Sequence, residues 1–242
     1  MRIIKVKNYE ALSIKAARIV AGQIELKPNL VLGLSTDSTS QGMFENLTKI
    51  HKQDNLSFNY IKVFKLDEFV GIKKEHPGSL NTYIQREFLD KVDIRTENFH
   101  TPNGYAEDIK KECHRYENKI KEVGGIDFLV LGIGENGNIA FLEPGNSLPL
   151  KTSTIKLSEK TRETHSSNFD SLKEVPTKAI TMGLDTILSA DEILLLASGK
   201  SKAEAVKKML SREVSIKTPA SLLNLHRNIT VLIDKQAGKN IK

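Results

Sequence analysis

The sequence predicts an α/β protein with an open, mostly parallel, Rossmann-like sheet covered by helices on both faces. Two observations predict it. Short apolar runs alternate with amphipathic stretches along the whole chain, the pattern of strands joined by crossover helices. The apolar runs are continuous rather than period-two, as expected of strands buried on both sides. At 242 residues the chain fits one domain spanning 1–242, long enough to bury a core without disulfide or metal staples.

Residues 1–7 alternate polar and apolar side chains and lack the long apolar stretch of a signal peptide. Residues 8–27 read as a helix with Leu12, Ala16, Ile19 and Val20 on one face. Residues 30–34 are a buried strand, followed by a helix over about 39–52 and a strand over 60–66. Residues 80–89 and 105–123 are helical. Gly124-Gly125 ends the latter, because glycine accepts the left-handed cap conformation. A strongly apolar strand covers 126–133. Further strands are expected at 178–182, 192–197 and 229–233, with a helix over 200–210. No repeat, low-complexity segment or long linker interrupts the series.

Composition excludes several classes. The hydrophobic fraction is 39% and the charged fraction 27%, neither disordered nor membrane-spanning. Cys113 is the only cysteine, so no disulfide framework or cysteine metal site is expected, and the cytoplasm is the expected compartment. The net charge of +6 is spread along the chain without a basic arm or interleaved aromatics. A solvated basic surface explains it better than nucleic acid, and an anionic substrate is a further reading. His76, His100, His114, His165 and His226 show no metal-ligand spacing. His165 could enter a site from the segment 158–171, but a surface histidine is the favoured reading.

In such sheets ligands bind beyond the carboxyl ends of the strands, and four loops there carry chemistry. Ser35, Thr36, Asp37, Ser38 and Thr39 form a hydroxyl-rich loop before a helix, either an anion site or simple N-capping. Asp67-Glu68 follows the next strand, as an acid–base pair or as a cap or turn. Gly132, Gly134 and Gly137 match G-x-G-x-x-G, but that fingerprint needs a helix after the glycines. Pro144 arrives too soon for one. A nicotinamide cofactor is therefore rejected in favour of a tight ligand loop. Ser198-Gly199-Lys200-Ser201-Lys202 places lysines in the first turn of a helix, against its dipole, either to meet a phosphate or as a solvated lysine pair. Together the loops describe a site for a polar anion with acid–base chemistry beside it.

Phe64-Lys65-Leu66-Asp67-Glu68-Phe69-Val70-Gly71 and Leu131-Gly132-Ile133-Gly134-Glu135-Asn136-Gly137-Asn138-Ile139-Ala140-Phe141-Leu142-Glu143-Pro144 resemble two signatures of the glucosamine-6-phosphate deaminases. Ile180-Thr181-Met182-Gly183-Leu184 and Pro219-Ala220-Ser221-Leu222-Leu223-Asn224-Leu225-His226 extend the resemblance over nearly the whole chain. Pro77-Gly78 and Asn136 are most similar to the galactosamine-6-phosphate isomerase branch. The resemblance implies conversion of a phosphorylated amino sugar to a ketose phosphate plus ammonia, without metal or organic cofactor. It implies that Asp67 moves a proton between C2 and C1 and that Asn136, Asn138 and Glu143 belong to the catalytic group. Glu143 would orient the ring-opening residue. Gly134, Gly137, Lys202 and the 35–39 loop would hold substrate and phosphate. A small phosphorylated amino sugar is thus the expected partner, with no nucleic acid or membrane, and a homo-oligomer is left open.

Three departures matter. The ring-opening histidine of the family falls at Asn138, and an amide takes no proton near neutral pH. A positioned general base is worth about 100- to 10,000-fold. Asp37 and Ser38 stand where the family loop has glycines, and a carboxylate repels a phosphate. Ser153 and Ser167 lie where the glucosamine enzymes place phosphate-binding arginines. These departures keep two alternatives in view: a non-catalytic sugar-phosphate sensor, for which the chain has no spare helix-turn-helix, and a 6-phosphogluconolactonase-like hydrolase, against which Leu66-Asp67-Glu68 and Glu143-Pro144 argue.

Overall fold

The computed structural model describes residues 1–211 and 213–241. Seven strands form one sheet in the order β1 (Arg2–Val6), β10 (Ile229–Asp234), β9 (Glu192–Ala197), β6 (Phe128–Gly132), β2 (Val31–Leu34), β3 (Lys62–Lys65) and β5 (Phe99–His100). Every pairing in it is parallel. β1 is an edge strand, and its polar–apolar alternation reflects one solvated side. The inner strands have no solvated side. On β6, Phe128 and Val130 join the apolar cluster of α1 (Tyr9–Leu26) and α2 (Gln41–Asp54). Leu129 and Leu131 join the opposite cluster with Tyr116 and Ile120 of α4 (Ile109–Glu122) and Val206 of α7 (Ala203–Met209). Alternate side chains of a strand point to opposite faces, so a continuous apolar run is what a two-sided core requires.

Helix ends follow local chemistry. Asn8 accepts from the Ala11 N–H at 3.0 Å and starts α1. Asp108 accepts from the Lys111 N–H at 3.0 Å and starts α4, four residues later than the sequence pattern suggests. Such caps satisfy backbone donors that a helix leaves free. Residues 200–202 form a 3-10 turn before α7 rather than its first α-helical turn.

A second sheet, absent from the sequence pattern, has three strands. β4 (Asp67–Phe69), β8 (Lys178–Thr181) and β7 (Ser153–Lys156) pair antiparallel in the order β4-β8-β7. The strand expected at 178–182 therefore belongs here and not to the parallel sheet. β4 has three residues, too few to display a period. Its pairing places Asp67 opposite Thr181, and the Met182 N–H donates to the Leu66 carbonyl at 2.9 Å. The chain leaving β3 is thereby turned and held at the carboxyl end of the parallel sheet. Helices α3 (Leu80–Glu87), α5 (Glu159–His165) and α6 (Leu184–Leu188) complete the fold.

Candidate active site

Strands β9, β6, β2 and β3 are consecutive in the sheet, so the four loops after them meet. They surround a cleft of about 360 Å³. Ser35, Thr36, Asp37, Ser38, Thr39, Asp67, Gly134, Asn136, Asn138 and Lys202 all line it. Gly137 and Glu143, also expected there, do not.

Asp67 is 6% exposed, at the junction of β3 and β4. Burial pushes its pKa up from 3.8 to about 7, with Lys65 opposing the shift and Glu68 and Asp37 adding to it. A carboxylate disfavoured by desolvation and titrating near neutrality takes and returns a proton readily. Its neighbour Glu68 has other work. Glu68 accepts from Ser79 Oγ at 2.9 Å, from the Leu80 N–H at 3.1 Å and from the Asn81 N–H at 2.9 Å. It also pairs with the fully buried Lys65 ammonium at 3.3 Å, which in turn donates to the Asp67 carbonyl. Glu68 thus caps α3 and anchors Lys65 under Asp67. Of the two carboxylates, one faces the cleft and one holds the scaffold.

In the hydroxyl-rich loop the chain supplies its own anion. Asp37 accepts from Ser35 Oγ at 2.5 Å, from the Thr39 N–H at 2.8 Å and from Ser40 Oγ at 3.2 Å. The carboxylate lies on Gly132: a Cβ there would sit 2.3 Å from Asp37 Oδ2.

The glycine loop is tight. Gly134 N–H donates to the Asn138 carbonyl, and Gly137 N–H to the Gly134 carbonyl. No helix follows; the chain makes a bridge between Ile139 and Leu142 and next enters β7. Asn136 Oδ1 accepts from the Asn138 N–H at 3.0 Å. The Asn138 side chain donates to the Ala140 carbonyl at 2.6 Å. Ala140 has φ +48, a left-handed conformation that costs a residue with a Cβ about 1–2 kcal/mol. Asn138 therefore braces a strained turn. Gly137, at φ +86, packs against Thr218, and its carbonyl accepts from the Ala220 N–H. It shapes the loop from behind the cleft lining. The Glu143 carboxylate accepts from the Ser158 N–H at 3.1 Å, next to the cleft and facing an adjoining depression. The orienting role expected for it has no contact to Asn138.

The expectation of a surface position for His165 is corrected. Its half-buried imidazole lines the cleft, edge-on to Phe69 at 5.3 Å and Phe141 at 5.6 Å between ring centroids. Burial holds it below the usual histidine range, with Asp37 opposing. Ser158 caps the short α5 through the Thr161 N–H, and α5 carries His165, Lys160 and Thr164 to the cleft. Only that Ser-x-x-Thr cap advertises the segment in sequence. Lys160 pairs with Glu135 at 3.2 Å. Burial pulls the Lys202 ammonium down, while Asp37 and Glu135 pull it back. Ser167 reaches the cleft, whereas Ser153 lies on β7. The Tyr83 hydroxyl, on α3 at the cleft wall, is buried without a hydrogen-bond partner. Among the described residues no cluster of three or more His, Cys, Asp or Glu could hold a metal ion, and no helix is long and apolar enough to cross a membrane.

The family described as "Glucosamine-6-phosphate isomerases/6-phosphogluconolactonase" matches residues 7–232. The chain belongs to this family. Within it, the chain is 46% identical to a glucosamine-6-phosphate deaminase of Thermoanaerobacter sp. (strain X514) over 241 residues, covering 100% of this chain and 95% of that protein. It is 45% identical to glucosamine-6-phosphate deaminase 1 of Bacillus subtilis (strain 168), covering 98% of each. A solved structure described as a monomeric glucosamine-6-phosphate deaminase superposes with a TM-score of 0.96 at 44% identity, over 99% of both chains. These members of the family carry the glucosamine name rather than the galactosamine name expected from Pro77-Gly78 and Asn136. A 6-phosphogluconolactonase from Trypanosoma brucei superposes with a TM-score of 0.80 at 17% identity, over 100% of this chain and 98% of that one, a likeness of fold alone.

Proposed function

We propose that this chain deaminates and isomerises a 2-amino aldose, releasing ammonia and leaving a ketose. The observation that carries the reading is Asp67, a carboxyl group at the cleft wall with its pKa at about 7. In the open-chain aldehyde Asp67 removes the proton from C2, giving an enolamine. The same carboxyl group returns the proton to C1. The imine left at C2 takes up water and releases ammonia as the C2 carbonyl forms. Reactants and products balance as amino aldose plus water to ketose plus ammonia, with no oxidant. One carboxyl serves both proton transfers because its two protonation states are close in energy near neutral pH.

Ring opening needs a group that takes the hydroxyl proton at C1. Asn138 is an amide already committed to Ala140, so it does not serve. His165 does: its imidazole lines the cleft, two aromatic rings hold it, and burial keeps it in the neutral, accepting form. Glucosamine 6-phosphate, the compound in the names of the relatives, is the first substrate to assay. Galactosamine 6-phosphate, suggested by Pro77-Gly78 and Asn136, is the second.

Ammonia and ketose formation are measured for both phosphates and for free glucosamine and galactosamine, with wild type and Asp67→Asn. Ammonia from at least one amino sugar, lost in Asp67→Asn, is expected. No ammonia from any of the four, or unchanged turnover in Asp67→Asn, overturns the reading.

A further inference from the structure

We infer that Asp37 is the specificity-determining residue of this cleft: its carboxylate occupies the cradle that an anionic substituent would take, so the substrate presents a neutral hydroxyl there in place of phosphate. This rests on the amino-sugar reading above and narrows its substrate class.

The geometry comes first. A loop of hydroxyls and a backbone N–H ahead of a helix is an anion cradle. Here three of its donors are already engaged. Ser35 Oγ, Ser40 Oγ and the Thr39 N–H all donate to the two Asp37 oxygens, at 2.5, 3.2 and 2.8 Å. The carboxylate also covers Gly132, where the chain has no side chain to hold a ligand away. A phosphate would have to displace Asp37 and take the same donors, while the displaced carboxylate stayed close by.

The charge count agrees. Among the described residues lining the cleft, the acids are Asp37, Asp67 and Glu135, and the permanent cations are Lys160 and Lys202. No arginine is among them. Lys160 is paired with Glu135 at 3.2 Å. That leaves Lys202 facing the charge of Asp37. The cleft is therefore close to neutral with Asp67 protonated and negative with Asp67 ionised. A phosphate dianion finds no excess positive charge in it. A hydroxyl, by contrast, donates to Asp37 and accepts from Lys202 with every charge still matched.

The test compares wild type, Asp37→Gly and Asp37→Asn. Asp37→Gly empties the cradle, and Asp37→Asn keeps the side-chain shape without the charge, so one reports if the other fails to fold. Binding of inorganic phosphate is measured by calorimetry, and kcat/KM by ammonia release from glucosamine and glucosamine 6-phosphate. Wild type is expected to prefer free glucosamine. Asp37→Gly is expected to bind phosphate about 100-fold more tightly than wild type and to shift the kcat/KM ratio toward the phosphorylated sugar by a similar factor, with Asp37→Asn in between; removal of one close like charge in a partly buried site sets that scale. Equal phosphate affinity in wild type and the variants, or a wild type that prefers glucosamine 6-phosphate, overturns the inference. If no amino sugar releases ammonia from wild type, the deaminase reading falls, and the phosphate affinities still decide the role of Asp37.

Discussion

The side-chain amide of Asn138 donates to the carbonyl oxygen of Ala140 at 2.6 Å, and Ala140 is held at φ +48. The residue that the resemblance sets at the ring-opening position is here part of the loop's own architecture. The strain at Ala140 is the kind that persists only where neighbours over-determine the backbone. Ala140→Gly should relieve it. Glycine removes the left-handed penalty but adds unfolded-chain entropy, so a net gain of about 0.5–1 kcal/mol is expected in urea denaturation. Asn138→Ala should lose about 1 kcal/mol, the usual worth of one such hydrogen bond.

Asp67→Asn should lower turnover by about 100- to 10,000-fold, the contribution of a positioned acid–base group, without loss of fold. In wild type, kcat/KM should climb as pH rises toward about 7, where Asp67 becomes a carboxylate, and then level off. Initial rates across pH 5–9 (about the range a neutral-pH group spans) check both.

Stability should show the opposite trend. The folded pKa of Asp67 lies above the unfolded value of 3.8, so the native state holds a proton that the unfolded chain has released. Its contribution is fully present below 3.8 and is lost as pH rises through about 7. At 1.36 kcal/mol per pH unit the upper limit is roughly 4 kcal/mol. Asp67→Asn lacks this term. It should match wild type near pH 4 and exceed it at pH 8 in chemical denaturation, a gain in stability set against lost activity.

His165→Gln should reduce turnover by about tenfold or more while leaving the melting temperature within a few degrees. Added imidazole should restore part of the rate if the ring acts as a proton acceptor. A purely packing role between Phe69 and Phe141 would instead be restored by His165→Phe and ignore imidazole.

Glu68→Gln should act on the fold. It leaves the Lys65 ammonium, fully buried, without its counter-charge, which typically costs about 3–5 kcal/mol. The double variant Lys65→Met with Glu68→Gln should cost less than the two single changes added together, because the members of a buried pair are coupled. Equilibrium unfolding of the four proteins measures the coupling.

Reading such sites from sequence works where chemistry and spacing coincide. Asp67, Lys202 and the 35–39 loop were legible because each follows an apolar strand, and parallel strands bring their carboxyl ends to one crevice. His165 was not legible. It comes from a seven-residue helix set between strands of the small antiparallel sheet, and no local pattern says which way such a helix faces. Glu68 and Asp67 are adjacent carboxylates with identical sequence context. Both are buried; what separates the scaffold residue from the candidate catalyst is that the α3 N-terminus and Lys65 hold Glu68 while Asp67 lines the cleft.

The alternation of apolar strands with helices in the parallel sheet, the two-sided core and the family resemblance were decided by the sequence alone, because apolar periodicity and short signatures are local properties of the chain. The tertiary structure decided the rest. It folded Asp37 back onto Ser35, Thr39 and Ser40, turned Glu143 toward Ser158 and brought His165 to the cleft. The physical reason is the same in each case: a polar side chain settles where donors from distant segments meet it, and those meetings exist only once the chain is folded.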